Sequence, residues 1–195
     1  MALIPEYSPG ATPLSPEELN GLIPSFVTTQ GALNEFEQAN ILHGMAWAAR
    51  SRQDILTEKF ILELHKHMFR ETWKWAGNYR TSDKNLGCPY WDVPMRVNEL
   101  LKNSQAMIAG HSAQPDEIAV RFHHRLVSIH PFPNGNGRHS RSMADLLIRR
   151  LGGSPFSWGG KVDLVSPSAI RSRYLSALRA ADDKDIGPLL QFART

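Results

Sequence analysis

Apolar positions return at helical spacing along most of the chain. Between Asn34 and Ser51 the residues Phe36, Ile41, Leu42, Met45, Ala46 and Ala49 predict a helix of about four turns. A second helix is predicted after Thr57, whose hydroxyl suits an N-cap, with Phe60, Ile61, Leu64 and Met68 as its core stripe. The rhythm resumes in 96–109, where Gly110 is the terminator, and in 115–129, where Pro115 takes the first helical position and Asp116 and Glu117 the first turn. It resumes again in 138–151, with Met143, Leu146, Leu147 and Leu151 facing inward and Gly152-Gly153 closing the helix. Ser166-Pro167 predicts the start of a further helix running to Ala181, and 186–193 a short last one.

Two stretches break the pattern. Residues 1 to about 30 hold five prolines and no sustained period, which reads as an arm laid over the domain surface, with Leu3, Ile4, Leu22, Ile23 and Phe26 as anchors. The boundary falls at residue 33, with a single domain from 34 to 195. The second break lies in "WKWAGNYRTSDKNLGCPYWDVPMR", where Gly77, Gly87, Pro89 and Pro94 interrupt the helices and aromatic residues suit a short two-stranded flap. The expected fold class is all-α, a helical bundle with one short β-hairpin flap.

Composition narrows the function classes. A chain of 195 residues can bury one substantial core. A formal charge of +3 is too small to argue for nucleic acid. Arg121, Arg125, Arg149 and Arg150 can extend a cationic surface, but helical spacing turns the last two toward solvent, so nucleic acid is not an expected partner. The single cysteine, Cys88, excludes an internal disulfide and a multi-cysteine zinc site. His123, His124 and His130 supply three imidazoles, yet adjacent helical positions point about 100° apart. No leader pattern and no bilayer-length apolar run is present, so the reading is a cytoplasmic chain without a membrane partner.

Residues 130–141 read "HPFPNGNGRHSR". Pro131 disfavours helical dihedrals at His130 and has no donor, so the helix before it must stop. Gly135, Asn136 and Gly137 let the backbone turn tightly and feed amide hydrogens into the start of the next helix, whose dipole favours an anion. Arg138 and Arg141 can both lean over that end, and so many converging donors suit a polyphosphate. His130, near neutrality able to take a proton, can activate a hydroxyl above a bound phosphate. Phe132 is expected to plug into the core.

These residues resemble the Fic-domain signature, HPFx(D/E)GNGRxxR, at His130, Pro131, Phe132, Gly135, Asn136, Gly137, Arg138 and Arg141. Upstream "HHRLVSIHPF" and "AGNYRT", and downstream "YLSALRAADDKDIGPLLQFA", extend the similarity over about residues 35 to 193. "TPLSPEELNGLIP", "LNEFEQANIL" and "TSDKN" are similar to the bacterial branch known as mobile mystery protein B. The resemblance implies a protein adenylyltransferase that moves AMP from ATP to a Ser, Thr or Tyr hydroxyl of a target protein. His130 would be the catalytic base. Gly135, Asn136, Gly137, Arg138 and Arg141 would hold the phosphates, with Tyr174 and Asp182 near the adenine. The flap, through Thr81, Asn85, Leu86, Gly87 and Val93, would clamp the target backbone.

Three departures qualify that implication. The signature's Mg²⁺-binding acid is Asn134 here, a neutral amide, which implies weak metal affinity and leaves open AMP removal, another nucleotide donor, or a nucleotide-binding module with weakened catalysis. The branch that transfers a terminal phosphate carries Lys where Gly137 stands, so Gly137 favours AMP. No (S/T)xxxE(G/N) inhibitory motif is present. Glu37 in "LNEFEQ" is the nearest candidate, weighed against a plain solvated helix face, and a separate antitoxin with a helix-turn-helix is the other source of control.

Overall fold

The computed structural model describes residues 11–160, 164 and 168–195. Within them lie α1 (Pro16–Leu19), α2 (Gln30–Arg50), α3 (Glu58–Phe69), a 3-10 turn (Tyr90–Asp92), α4 (Val93–Ala109), α5 (Pro115–Ile129), α6 (Asn136–Arg150), α7 (Ala169–Asp182) and α8 (Gly187–Arg194). Helix α5 is central: α4, α6 and α8 all pack on it, while α2 pairs with α3 and α7 with α8. Its Ala119, Val120, Phe122 and Leu126 are buried in one apolar cluster that also holds Phe60, Ile61 and Leu64 of α3 and Met143, Leu147 and Ile148 of α6. Each such large side chain contributes roughly 1.5–3 kcal/mol by leaving water. Among the described residues no helix is long and apolar enough to cross a membrane.

The expected helices form where the pattern put them, with several revised limits. Thr57 caps α3 by accepting from the Phe60 amide at 3.2 Å, and Gly110 ends α4. Helix α4 starts at Val93, earlier than expected, because Pro94 serves its first turn. Ser166-Pro167, expected to open α7, lies outside the described residues, and Ser168 is the N-cap, accepting from the Arg171 amide at 3.1 Å.

Helix α2 starts at Gln30, capped by the Thr29 hydroxyl, so its first turn crosses the boundary drawn at residue 33. Its buried face also differs from the apolar pattern. Leu42, Ala46 and Ala49 are exposed, whereas Glu37 and Asn40 are buried. Gly44 is the reason: a Cβ there would lie 2.7 Å from Met68 Cγ and 2.9 Å from the Met68 backbone. The close approach of α2 to α3 at that glycine rotates the helix so that Leu33, Glu37, Ile41, Gly44 and Ala48 face inward.

The arm is tied down by Leu22 as expected, which packs against the core, and otherwise by residues that were not expected. Ile23 and Phe26 are exposed at 46% and 71%, and Leu3 and Ile4 lie outside the described residues. Leu14 is buried instead. Backbone bonds join Ile23 to Thr72 and Lys74 to Gly21, each at 2.9 Å, forming an isolated Leu22–Trp73 bridge. Helix α1 carries a full capping box, the Ser15 hydroxyl accepting from the Glu18 amide at 3.2 Å and Glu18 from the Ser15 amide at 2.7 Å.

The flap is not a hairpin. Residues 81–89 form bends and irregular chain with no strand, followed by the 3-10 turn. The physical reason is Arg80, whose side chain gathers the carbonyls that a ladder would need, donating to Ser82 at 2.9 Å and to Cys88. Pro89 removes a further donor.

Candidate active site

The loop between α5 and α6 is held from below by buried polar groups. His130 ends α5 in the left-handed region, φ 56° and ψ 60°, so the chain leaves the helix sharply before Pro131. Arg80 fixes that turn: its Nε donates to the His130 carbonyl at 2.7 Å, and its own amide donates to the Pro131 carbonyl at 2.9 Å. Arg80 is 2% exposed, so its charge depends on these carbonyls. Next, Asn136 staples the loop, its Oδ1 accepting from the Phe132 amide at 2.9 Å and its Nδ2 donating to the Phe132 carbonyl at 2.8 Å. Phe132 is fully buried and stacks on His65 with centroids 3.7 Å apart.

His65 completes the underside. The Gly77 amide donates to its Nδ1 at 3.0 Å, so its Nε2 carries the hydrogen and donates to the Asn134 carbonyl at 3.1 Å. Burial holds its pKa well below the usual imidazole range, with the nearby His139 adding to the effect. Gly135 begins α6 at φ 78°, and a Cβ there would meet Phe69 Cζ at 2.6 Å. Only glycine satisfies both the positive φ and that contact. Helix α6 has no side-chain N-cap, so the amides of Asn136, Gly137 and Arg138 form its open, positively polarised end.

On the upper face sits the His130 ring. The Val127 carbonyl lies against the ring and favours its charged form. The Thr12 Oγ1 is 2.9 Å from Nε2, which accepts from the hydroxyl when the ring hydrogen is on Nδ1. Burial lowers the His130 pKa to about 4, aided by the charges of Arg80 and Lys84. The ring is therefore neutral near pH 7, with a ring nitrogen facing outward that can accept. Gly87 of the flap lies directly above, where a Cβ would come within 2.8 Å of His130 Cβ and of Arg80 Nη2.

The two guanidinium groups face different partners. Arg138 donates to Glu37 Oε2 at 2.5 Å and to Asn134 Oδ1 at 3.2 Å. Glu37 is 3% exposed and also accepts from Trp73 Nε1 at 2.6 Å, so it is no solvated helix face. Arg141 lies over the Tyr174 ring, 5.3 Å from its centroid, and Tyr174 is buried with its hydroxyl 3.1 Å from His123 Nε2. Asp182 meets His124 Nε2 at 2.8 Å. The three histidines considered as a metal set thus serve Tyr174, Asp182 and Thr12 separately.

Residues 55–148 match the model of the Fic/DOC family. The chain carries a Fic/DOC family domain. Relatives named protein adenylyltransferase Fic are similar in sequence: that of Aedes aegypti is 28% identical over 146 residues, covering 73% of this chain and 28% of its own length. That of Drosophila melanogaster is 30% identical over 141 residues, covering 70% of this chain and 27% of its own length. The chain therefore spans about a quarter of the length of these relatives. Among solved structures, Fic-1 from C. elegans superposes with TM-score 0.63 at 25% identity, covering 81% of this chain and 48% of that one. BepC from Bartonella tribocorum, solved with bound AMPPNP, superposes with TM-score 0.65 at 17% identity, covering 91% and 96%.

Set on this Fic/DOC frame, the expected site residues separate into groups. His130, Asn134, Gly135, Gly137, Arg138 and Arg141 come together at the loop. Asn136 is there too, but its side chain is spent on the staple and only its backbone faces outward. Val93, expected in the flap, is fully buried as the first residue of α4. Thr81, Asn85, Leu86 and Gly87 are exposed, and beside them Tyr90 and Trp91 stand out at 39% and 63%. Sequence reasoning missed Arg80, His65 and Thr12. Only the first had a usable signal, as the arginine of "AGNYRT", a stretch that carries part of the family resemblance.

Proposed function

We propose that this Fic/DOC domain is a protein adenylyltransferase, transferring AMP from ATP to a hydroxyl side chain of a target protein. The observation that carries the reading is a hydroxyl already placed 2.9 Å from His130 Nε2, beside the uncapped end of α6. His130 acts as the base that takes the hydroxyl proton. The α6 amides, Arg138 and Arg141 receive the phosphates and stabilise the charge on the departing pyrophosphate. Tyr174 positions Arg141 from below. The exposed flap, with Leu86, Tyr90 and Trp91, receives the target chain. The names of the insect relatives and the AMPPNP of the Bartonella structure support this reading.

The residues present do not suit a resident Mg²⁺. Asn134 Oδ1, the one side-chain oxygen at the expected position, already accepts from the Gly135 amide at 2.5 Å and from cationic Arg138 at 3.2 Å. Among the described residues no cluster of three His, Cys, Asp or Glu is positioned to hold a metal. An Asn134→Asp change should lower the Mg²⁺ concentration giving half-maximal transfer severalfold, and an unchanged midpoint would sink this account.

Glu37 restrains the site from within the chain, because it holds Arg138 away from an incoming phosphate. That favours internal control over a separate antitoxin, and the likeness to the bacterial mobile mystery protein B branch, with its helix-turn-helix partner, is kept as the alternative source. A single cysteine and the use of ATP suit the cytoplasm. The deciding experiment is mass spectrometry of a lysate incubated with the protein and ATP. An added AMP group on a target, absent with His130→Ala, supports the transferase. Tight ATP binding with no transferred group, with Glu37→Ala as well, would instead make this a nucleotide-binding module.

A further inference from the structure

We propose that Thr12, in the arm, is an acceptor hydroxyl for the domain's own transfer reaction, so that the chain is a substrate of itself. The inference rests on the adenylyl-transfer reading above and adds the identity of one modified residue. Three independent contacts support it. Thr12 Oγ1 is 2.9 Å from His130 Nε2, the distance and atom a base needs to take the hydroxyl proton. Flap side chains grip the arm by its main chain on both sides of Thr12: Asn85 Nδ2 donates to the Ala11 carbonyl at 3.1 Å and Lys84 Nζ to the Pro13 carbonyl at 3.1 Å. Leu14 is buried just beyond, and Lys84 pairs with Glu18, so the segment is anchored downstream as well.

This is how a bound target segment would be held. Side chains of the flap read backbone carbonyls, which any sequence supplies, while the intervening side chain is offered to the base. Ser15, the next hydroxyl along the arm, is occupied by the capping box of α1. The step balances simply. The Thr12 Oγ–H bond breaks as its proton passes to His130 Nε2, and Oγ forms a bond to the α-phosphorus of ATP. The bond from that phosphorus to the bridging oxygen breaks, and pyrophosphate departs with the electron pair. The product is a threonyl phosphodiester of AMP and a protonated imidazole, which returns its proton to solvent.

The test uses the full chain, purified, with ATP and Mg²⁺. Peptide mass spectrometry should place one adenylyl group on Thr12, and the labelled fraction at a given time should not change across a hundredfold dilution. Thr12→Val should remove that label, and Glu37→Ala should increase its rate severalfold. If natural protein and Glu37→Ala both modify a lysate protein in a His130-dependent way while Thr12 stays bare, the arm is only a plug: the inference falls and the transferase stands. Labelling that accelerates with protein concentration would also overturn it, because the acceptor would then come from another molecule. Absence of any His130-dependent label, on Thr12 or in lysate, overturns both readings together.

Discussion

The motif loop has two faces built on opposite plans. Beneath it, Arg80, Asn136 and His65 each make two or more hydrogen bonds to backbone groups, all three buried at 4% exposure or less. Above it, Thr12 touches His130 through one bond, and Glu37 touches the loop through one arginine. The underside cannot shift without stranding several carbonyls and amides out of water, which makes it a fixed mount. The upper contacts can be given up singly and replaced by a ligand. The difference separates what shapes the site from what covers it.

The contrast can be broken most forcefully at Arg80. Arg80→Met should cost roughly 3–5 kcal/mol, since the carbonyls of His130, Ser82 and Cys88 lose a charged donor in a buried place. Chemical denaturation measures this, and a loss under 1 kcal/mol would show that the flap and loop hold each other without it. Next in size is Asn136→Ala, expected to cost about 2–3 kcal/mol by leaving the Phe132 amide and carbonyl unpaired. Activity should fall with it, because the open end of α6 loses its register against His130.

Acid offers a third probe. His130 and His139 have pKa values lowered to about 4 and about 3, and His65 and His123 are also lowered well below 6.5, all chiefly by burial. Above pH 6.5 neither folded nor unfolded chain protonates these rings, and their neutral burial carries no penalty. Below it the unfolded chain takes up protons that the folded chain refuses, so stability is lost as pH falls from 6.5 toward 4 and 3, at about 1.4 kcal/mol per pH unit for each ring. A melting temperature that is flat across that range would contradict the buried geometry. The smallest effect belongs to the cover. Thr12→Val should change stability by about 0.5–1 kcal/mol or less, since one partly exposed bond is lost and its partner His130 is already neutral. A cost matching that of Asn136→Ala would erase the distinction between mount and cover.

The helical order and the loop were readable because periodicity, prolines and glycines act locally. Thr57, Gly110 and Gly135 announce caps and turns through their own chemistry. Placement of Glu37 was not readable from its neighbours, since a carboxylate on a helix is ordinarily a solvated one. Its burial follows from Gly44 meeting Met68 and from Trp73, contacts made by distant parts of the chain. The flap misled for a similar reason: a Gly- and Pro-rich aromatic stretch reads as a hairpin until one arginine claims its carbonyls. Thr12 carries no local mark at all, and only the folding of the arm across Lys84 and Asn85 brings it to the ring. The α1 capping box, Ser15-x-x-Glu18, is a local signature that the reading of residues 1–30 as an arm without sustained period passed over.

The indole of Trp91 projects into solvent beside the flap, while Trp73 and Trp158 are buried and Trp47 and Trp75 are half-buried among the five in the chain. A collisional quencher such as iodide will therefore dim chiefly one emitter. Whatever settles on the flap shields that emitter, so the chain carries its own optical gauge of occupancy and needs no dye.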